Sequence, residues 1–442
     1  MSGFHVPYQA EILSGEEEVV NFLHALRRPH IAVLWLSQVL SAVGDQLYAI
    51  AVIWLAVQVA GSGAGFVAAA QSLSALAFGL LGGVYADRWN RRTTMIAVDT
   101  LRALAVATLP VLAAFHLLQL WHLAVVAVLI GGLGALFDPA LQASLPALTS
   151  GTTILQATNG LMDTTRRLAR AVAPSLVGLL VVLMPMSQFF TLDAVSFLVS
   201  AGAVLSLGSR YAWQPEAQAK RTCGVRGVAQ EMWSAVRLVH GYRPLLWAFA
   251  GLLVIATAWA LAFTVGAAFV AERVLHAGAG TFGLIVGAYG IGNILSNLVI
   301  GSITIRRRIA TIFSAKIILG LGFMVVALSR SLPLTLFGAA FAAVAGPMGD
   351  IMLLTLIQTG LPSNQIGKVY GLMMTLGDGG MALGLLLAVP LYAHFPVPVV
   401  IAGAALAMIV TGIIGLLRFG FTEPADSFNV STPVSGPAVQ AK

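Results

Sequence analysis

Apolar residues run through this chain in long blocks separated by short polar turns, the pattern of helices that cross a bilayer. Spanning about 30 Å of hydrocarbon takes about 20 such residues in α-helical form. Twelve blocks reach that length, near 31–59, 66–86, 94–117, 121–148, 154–183, 188–208, 245–271, 280–303, 309–329, 332–361, 366–394 and 397–418. Several exceed it, which implies tilt or extension beyond the membrane. Before the first block, Glu16 to Glu18 and the helical spacing of Ile12, Val19, Leu23 and Leu26 predict a short surface helix rather than a cleaved signal peptide.

The longest connection, Arg210 to Pro244, divides the blocks six and six. Within it Val228, Met232, Ala235, Val236 and Val239 keep helical spacing beside Trp233, as an interfacial helix does. The expected organisation is an all-α integral membrane protein of twelve transmembrane helices in two six-helix bundles. It comprises an N-terminal tail (1–30), a first bundle (31–209), a linker (210–244), a second bundle (245–419) and a Pro- and Ser-rich tail (420–442) without periodicity.

Composition agrees: 58% of residues are hydrophobic and 9% charged, against about a quarter charged in soluble domains. The net charge of +7 does not point to nucleic acid, because the basic residues sit in short turns rather than along one helix face. Seventeen Lys and Arg fall in the segments that share a side with the termini and two, Arg273 and Arg330, on the other side. Positive charge marks the cytoplasmic face, so both termini are expected in the cytoplasm of a cell-membrane protein. Cys223 is the sole cysteine, which excludes an intramolecular disulfide or a cysteine metal cluster.

The turn between the second and third blocks, Gly83-Val-Tyr-Ala-Asp87-Arg88-Trp-Asn90-Arg91-Arg92, concentrates charge at the membrane surface. Asn90 is expected to take the left-handed backbone region there. Weak internal symmetry follows. Gly83 before Asp87-Arg88 has a counterpart in Gly301 before Arg306-Arg307-Arg308, and at an offset of 212 residues Asp138 falls on Asp350. Parallel repeats of six helices are one known way of building transporters.

These residues resemble the major facilitator superfamily. Its signature between helices two and three is met by Gly83, Asp87, Arg88, Arg91 and Arg92, with Tyr85 for the usual Leu and Asn90 for the second Gly. Gly160, Ala169, Ala173-Pro174 and Val177-Gly178 follow the antiporter motif, with Ala or Val for Gly at three places. Leu34-Trp-Leu-Ser-Gln38, Ser41, Gly44-Asp45, Leu192-Asp193-Ala-Val-Ser196-Phe197 and Arg170 before Pro174 resemble exporters of the enterobactin-export and macrolide-efflux type. The resemblance implies a cytoplasmic gate: Asp87 faces the start of the eleventh helix, and Arg91 reaches an acid on the fourth, here Asp138. In the second half Ile305 stands in place of Asp87, while Arg307 with its neighbours and Asp350 remain.

Ionisable residues inside membrane helices are costly and are functional candidates. Asp45 lies about fourteen residues, or about 21 Å, into the first block. Gln38, Ser41, Asp45 and Tyr48 share one helical stripe that should face a cavity, and the block offers Asp45 no cation. A proton site, a cationic-substrate site and a structural contact are all open readings. Asp163 has arginines three, four and seven residues on, including Arg170, so a local ion pair competes with a coupling role. Asp378 lies among glycines, where close packing competes with chemistry. Asp193, near one end of its block, reads as structural. Gln71, Gln142, Asn293 and Asn297 are cavity candidates.

Gly278-Ala-Gly280-Thr-Phe-Gly283 spells a dinucleotide fingerprint but follows no strand, and there is no Walker-type phosphate loop or metal-ligand spacing. No catalytic residue, metal or cofactor is expected. The implied function is a monomeric, proton-coupled exporter of a small amphipathic organic molecule such as a drug or siderophore, working by alternating access among membrane lipids. The alternatives are a lipid or lysophospholipid translocator and a non-transporting sensor.

Overall fold

The computed structural model describes residues 25–85, 90–149, 152–208, 225–302, 305, 307–361 and 363–420. All regular structure among them is helical. The first half comprises α1 (Pro29–Ala60), α2 (Ala64–Tyr85), α3 (Arg91–Ala114), α4 (Leu120–Leu148), α5 (Thr152–Leu183) and α6 (Ser187–Ser206). A linker helix, α7 (Val225–His240), precedes the second half. That half comprises α8 (Arg243–Val274), α9 (Ala279–Ser302), α10 (Arg308–Leu328), α11 (Leu332–Ala343) running on as α12 (Ala345–Gly360), α13 (Ser363–His394) and α14 (Val397–Phe419).

Among the described residues, ten stretches are long and apolar enough to cross a membrane. One of them, Pro29–Phe78, contains both α1 and most of α2, and α5 is 32 residues long but carries Asp163, Arg166, Arg167 and Arg170. Counting α11 and α12 as one span gives twelve, at the expected positions to within a few residues. Proline sits at the first or second position of α1, α8, α11 and α14, where its missing N–H breaks no bond. Large apolar side chains stay exposed around the outside, Leu183 at 71% and Leu417 at 75%, because lipid rather than water surrounds them.

The two halves repeat one packing scheme. In the first, α1 packs on α5, α2 on α4 and α3 on α6; in the second, α8 packs on α13, α9 on α11 and α10 on α14. The halves meet where α2 lies along α13 and α5 along α9, a crosswise pairing of equivalent helices. Without a hydrophobic drive between helices in lipid, such contacts depend on small residues that let backbones approach. Gly65 of α2 is one, its Cα facing the Leu385 carbonyl of α13 so closely that a side chain would collide.

Two expectations about local structure change. Asn90 is extended, with φ −65° and ψ 112°, rather than left-handed. The reason is capping: its side chain accepts the Thr93 N–H at 3.1 Å and so fixes the start of α3. Asp87 and Arg88 of this turn, and the expected helix before residue 25, lie outside the described residues. In the linker, α7 buries Ala235 and Val239 and leaves Trp233 60% exposed, which makes it amphipathic.

The second half departs from ideal helix in α8. Two π-helical stretches, Ala260–Val265 and Val270–Val274, interrupt it. A π turn frees backbone carbonyls, and the Tyr392 hydroxyl donates to Leu261 O at 2.7 Å. The break at Val344 is met likewise, with Ser296 Oγ donating to Val344 O at 2.6 Å.

Candidate functional site

Where the halves face each other two cavities meet. The larger, about 600 Å³, is lined by Ile50 and Ile53 of α1, Trp259 and Phe263 of α8, Phe282, Tyr289 and Asn293 of α9, Asp350 of α12 and Asp378 of α13. Its wall is an aromatic cluster: Phe263 and Tyr289 stack at 4.0 Å, and Trp259 Nε1 donates to the Tyr289 hydroxyl at 2.9 Å. The smaller cavity, about 300 Å³, lies within the first half and is polar, with Gln38, Ser41, Asp45, Arg102, Asp138 and Arg166 among its lining. Gln46 of α1 lines both, so the two lie side by side.

On the side away from the termini the large cavity is roofed. Trp54 of α1 stacks on Phe282 of α9 at 5.2 Å, and beyond them Gln58 Nε2 donates to Glu272 Oε1 at 3.4 Å. Gly65 against α13 closes the same level. Asp138, Asp350 and Asp378 remain exposed below this roof. Among the described residues the cavity is therefore closed on the far side.

The predicted stripe on α1 divides. Gln38, Ser41 and Asp45 line the polar cavity. Tyr48 does not: it is 1% exposed, turned towards α6 with its ring 5.7 Å from Phe190, and its hydroxyl has no hydrogen-bond partner. The cation missing from α1 is supplied by α3. Arg102, 8% exposed, lies over the rings of Phe137 at 5.5 Å and Phe197 at 5.1 Å and reaches Asp99 at 3.7 Å. Asp193 also joins this group. Its Oδ1 packs against Gly44, where a built methyl group would fall 2.6 Å away, and receives Ser196 Oγ at 3.4 Å. Gln38 Nε2 donates to Ser200 Oγ at 3.0 Å, tying α1 to the same face of α6. Sequence position alone had made Asp193 a structural residue.

Other candidates take the following places. Asp138, expected to receive Arg91, is held by Arg166 of α5 at 3.1 Å and lines the polar cavity. Asp350, also expected at the gate, lines the large cavity and a small one of about 70 Å³ shared with Lys316. Arg92 donates to the carbonyls of Leu205 at 2.9 Å and Val204 at 3.4 Å, so it satisfies the end of α6. Arg91 opens α3, Gly83 lies near the end of α2, and Arg307 caps α10. Asn293 lines the large cavity, and Asn297 donates to its carbonyl oxygen at 3.0 Å. Gln71 packs by its backbone against Gly131, and Gln142 is exposed on α4. The side chains of Asp163 and Arg170 lie outside the described residues. No group of three metal-ligating side chains occurs among the described residues.

Two six-helix repeats around a central cavity closed on one side match what a family comparison finds. The model of the Major Facilitator Superfamily covers residues 34–385. The chain belongs to the Major Facilitator Superfamily. It is thus a multi-pass membrane transporter. Among facilitator proteins, the chain is 30% identical over 408 residues to a multidrug efflux pump Tap of Mycolicibacterium fortuitum, an alignment that takes in 88% of this chain and 95% of the relative. A protein of the same name from Mycobacterium tuberculosis is 28% identical over 88% of this chain and 93% of its own. Solved facilitator structures share the fold at low identity. An auto-inhibited POT family peptide transporter aligns with a TM-score of 0.65 at 13% identity, over 93% of this chain and 99% of its own. A bacterial homologue of the human lysosomal transporter Spinster aligns with a TM-score of 0.61 at 11% identity, over 91% of this chain and 97% of its own.

Proposed function

We propose that this transporter exports small amphipathic organic molecules, drugs among them, in exchange for protons, with Asp45 as the coupling carboxylate. One observation carries the reading: a polar cavity holding Asp45 adjoins, across Gln46, a larger aromatic cavity between the halves. The aromatic wall accepts an apolar body, and the carboxylates accept a proton or a cationic head. Relatives named multidrug efflux pumps support the export direction.

The bundles 31–209 and 245–419 rock about this cavity, joined by the 210–244 linker, and a monomer suffices. The charge count puts the termini in the cytoplasm of a cell-membrane protein. The cavity as described then faces inward, ready to load. Gly83, Asp87, Arg88, Arg91, Arg92, Arg307 and Asp350 belong to the gate that closes the cytoplasmic side, with Asp163, Arg170 and Asp378 as further charged participants. A membrane potential of 100 mV supplies about 2.3 kcal/mol per proton charge, enough to drive about a 50-fold gradient.

The test uses full-length protein in proteoliposomes with ethidium, a fixed aromatic cation, as probe. A pH gradient should drive ethidium accumulation in the wild type, and Asp45→Asn should abolish the gradient dependence while the protein still elutes as a folded species. Gradient-driven flux unchanged in Asp45→Asn would remove Asp45 from the mechanism. Movement of labelled phospholipid in place of ethidium would make the protein a lipid translocator.

A further inference from the structure

Behind Asp45, among the described residues, three carboxylates of the first half gather near one buried guanidinium. Asp99 of α3 lies 3.7 Å from Arg102, Asp45 of α1 lines the same cavity as Arg102, and Asp193 of α6 packs against Gly44 beside Asp45. Asp99 and Asp193 are each 0% exposed. Among the described residues the other charges facing this group are Asp138 of α4 and Arg166 of α5, which pair with each other at 3.1 Å.

The hydrogen-bond inventory points the same way. Asp193 Oδ2, Arg102 Nε and the Tyr48 hydroxyl are buried without a hydrogen-bond partner, and Asp99 has only the Ser200 hydroxyl and Arg102 beside it. Tyr48 faces Asp193 and Asp45. Three ionised carboxylates around one guanidinium would leave two uncompensated charges in a low-dielectric interior, each costing several kcal/mol. Ser196 and Ser200, the nearby hydroxyls of α6, supply dipoles but no charge.

We propose that this cluster holds two protons and that Asp193 is a second proton-carrying residue, reached through Asp45. The proposal rests on the proton-coupled reading of Asp45 above. Asp45 alone of the three carboxylates lines the cavity, so it is the port. A proton passes from cavity water to the Asp45 carboxylate and on to the Asp193 carboxylate, which leaves Asp45 ionised to take a second proton. Asp99 stays ionised against Arg102 at 3.7 Å. The doubly protonated cluster is neutral, with one guanidinium and one carboxylate. The Tyr48 hydroxyl is the unpartnered donor beside the deeper step, and it returns to its own proton count after each transfer.

The experiment follows protonated carboxyls directly. Infrared difference spectra of full-length protein in lipid, recorded across a pH titration, should contain two protonated-carboxyl bands in the wild type. One should disappear in Asp193→Asn and the other in Asp45→Asn. In proteoliposomes the proton-to-ethidium ratio should fall to half in Asp193→Asn. Asp193→Ser, which keeps a hydroxyl in the cluster, serves if the asparagine variant does not fold, and the same band should be missing. If Asp193→Asn or Asp193→Ser retains both bands with an unchanged ratio, Asp193 carries no proton and the proposal falls while Asp45 coupling stands. If ethidium flux ignores the pH gradient in every variant, the coupled reading falls, whatever the spectra contain.

Discussion

The closed roof can be opened by one methyl group. In Gly65→Ala the new Cβ would collide with the Leu385 carbonyl of α13 and fall 3.0 Å from Val389 and 3.3 Å from Ala388. The first partner is helix backbone, which cannot rotate away, so α2 and α13 must separate. Overpacking of this kind costs about 1–3 kcal/mol. The cost falls only on the conformation in which these helices touch, so the ratio of far-side-closed to far-side-open protein should drop about 5- to 150-fold. Spin labels on Ser62→Cys and His394→Cys, in a Cys223→Ser background, bracket the far ends of α2 and α13. Pulsed electron–electron resonance should shift from a short to a long distance in Gly65→Ala. Gly202→Ala is the control, because a Cβ there meets nothing within 4 Å. An unchanged distribution in Gly65→Ala, or an equal shift in the control, would refute the argument that this contact holds the roof shut.

Two further outcomes follow from buried polar contacts. Arg102→Met keeps most of the packing on Phe137 and Phe197 but strands Asp99, and should cost about 3–5 kcal/mol in unfolding titrations in mixed micelles. Adding Asp99→Asn should recover much of that loss; a double variant as unstable as the sum of the singles would mean that the pair does not interact. Tyr392→Phe leaves the Leu261 carbonyl of the π turn unbonded and should cost about 1–3 kcal/mol. Faster amide exchange confined to residues 260–266 is the expected signature, and unchanged protection there would mean that another group serves that carbonyl.

The transmembrane spans were legible because a run of apolar residues is a one-dimensional signal that lipid enforces along the whole helix. Asp45 was legible for the same reason, as a charge inside such a run with Gln38 and Ser41 on its face. Its cation was not, since Arg102 lies on a different helix and only packing brings α3 against α6. The neighbourhood of Asp193 was not legible from its depth counted from a helix end. α1 has 32 residues and α6 has 20, so a residue near the start of α6 lies level with Gly44 near the middle of α1. Asn90 failed for another reason: the left-handed preference of Asn competes with its capping preference, and the free N–H of Thr93 decided between them.

The repeat relates the buried cations of the two halves. Arg102 on α3 and Lys316 on α10 stand 214 residues apart, and at that same offset Asp99 falls on Phe313. In each half the cation rests on the side chain three residues before it. In the first that partner is a carboxylate, at 3.7 Å from Arg102. In the second it is a ring, its centroid 5.2 Å from Lys316 Nζ, and the ammonium donates to Ala248 O at 3.2 Å. A ring and a carbonyl stabilise a cation without adding a charge that must be neutralised in turn. The second half can therefore keep Lys316 and Asp350 near the cavity and still present an aromatic wall. In the first half the carboxylate at position 99 pairs with Arg102, so Asp45 has to share that cation with it. Equivalent positions of the two halves thus hold their buried cation in two ways, by a carboxylate at Asp99 and by a ring at Phe313.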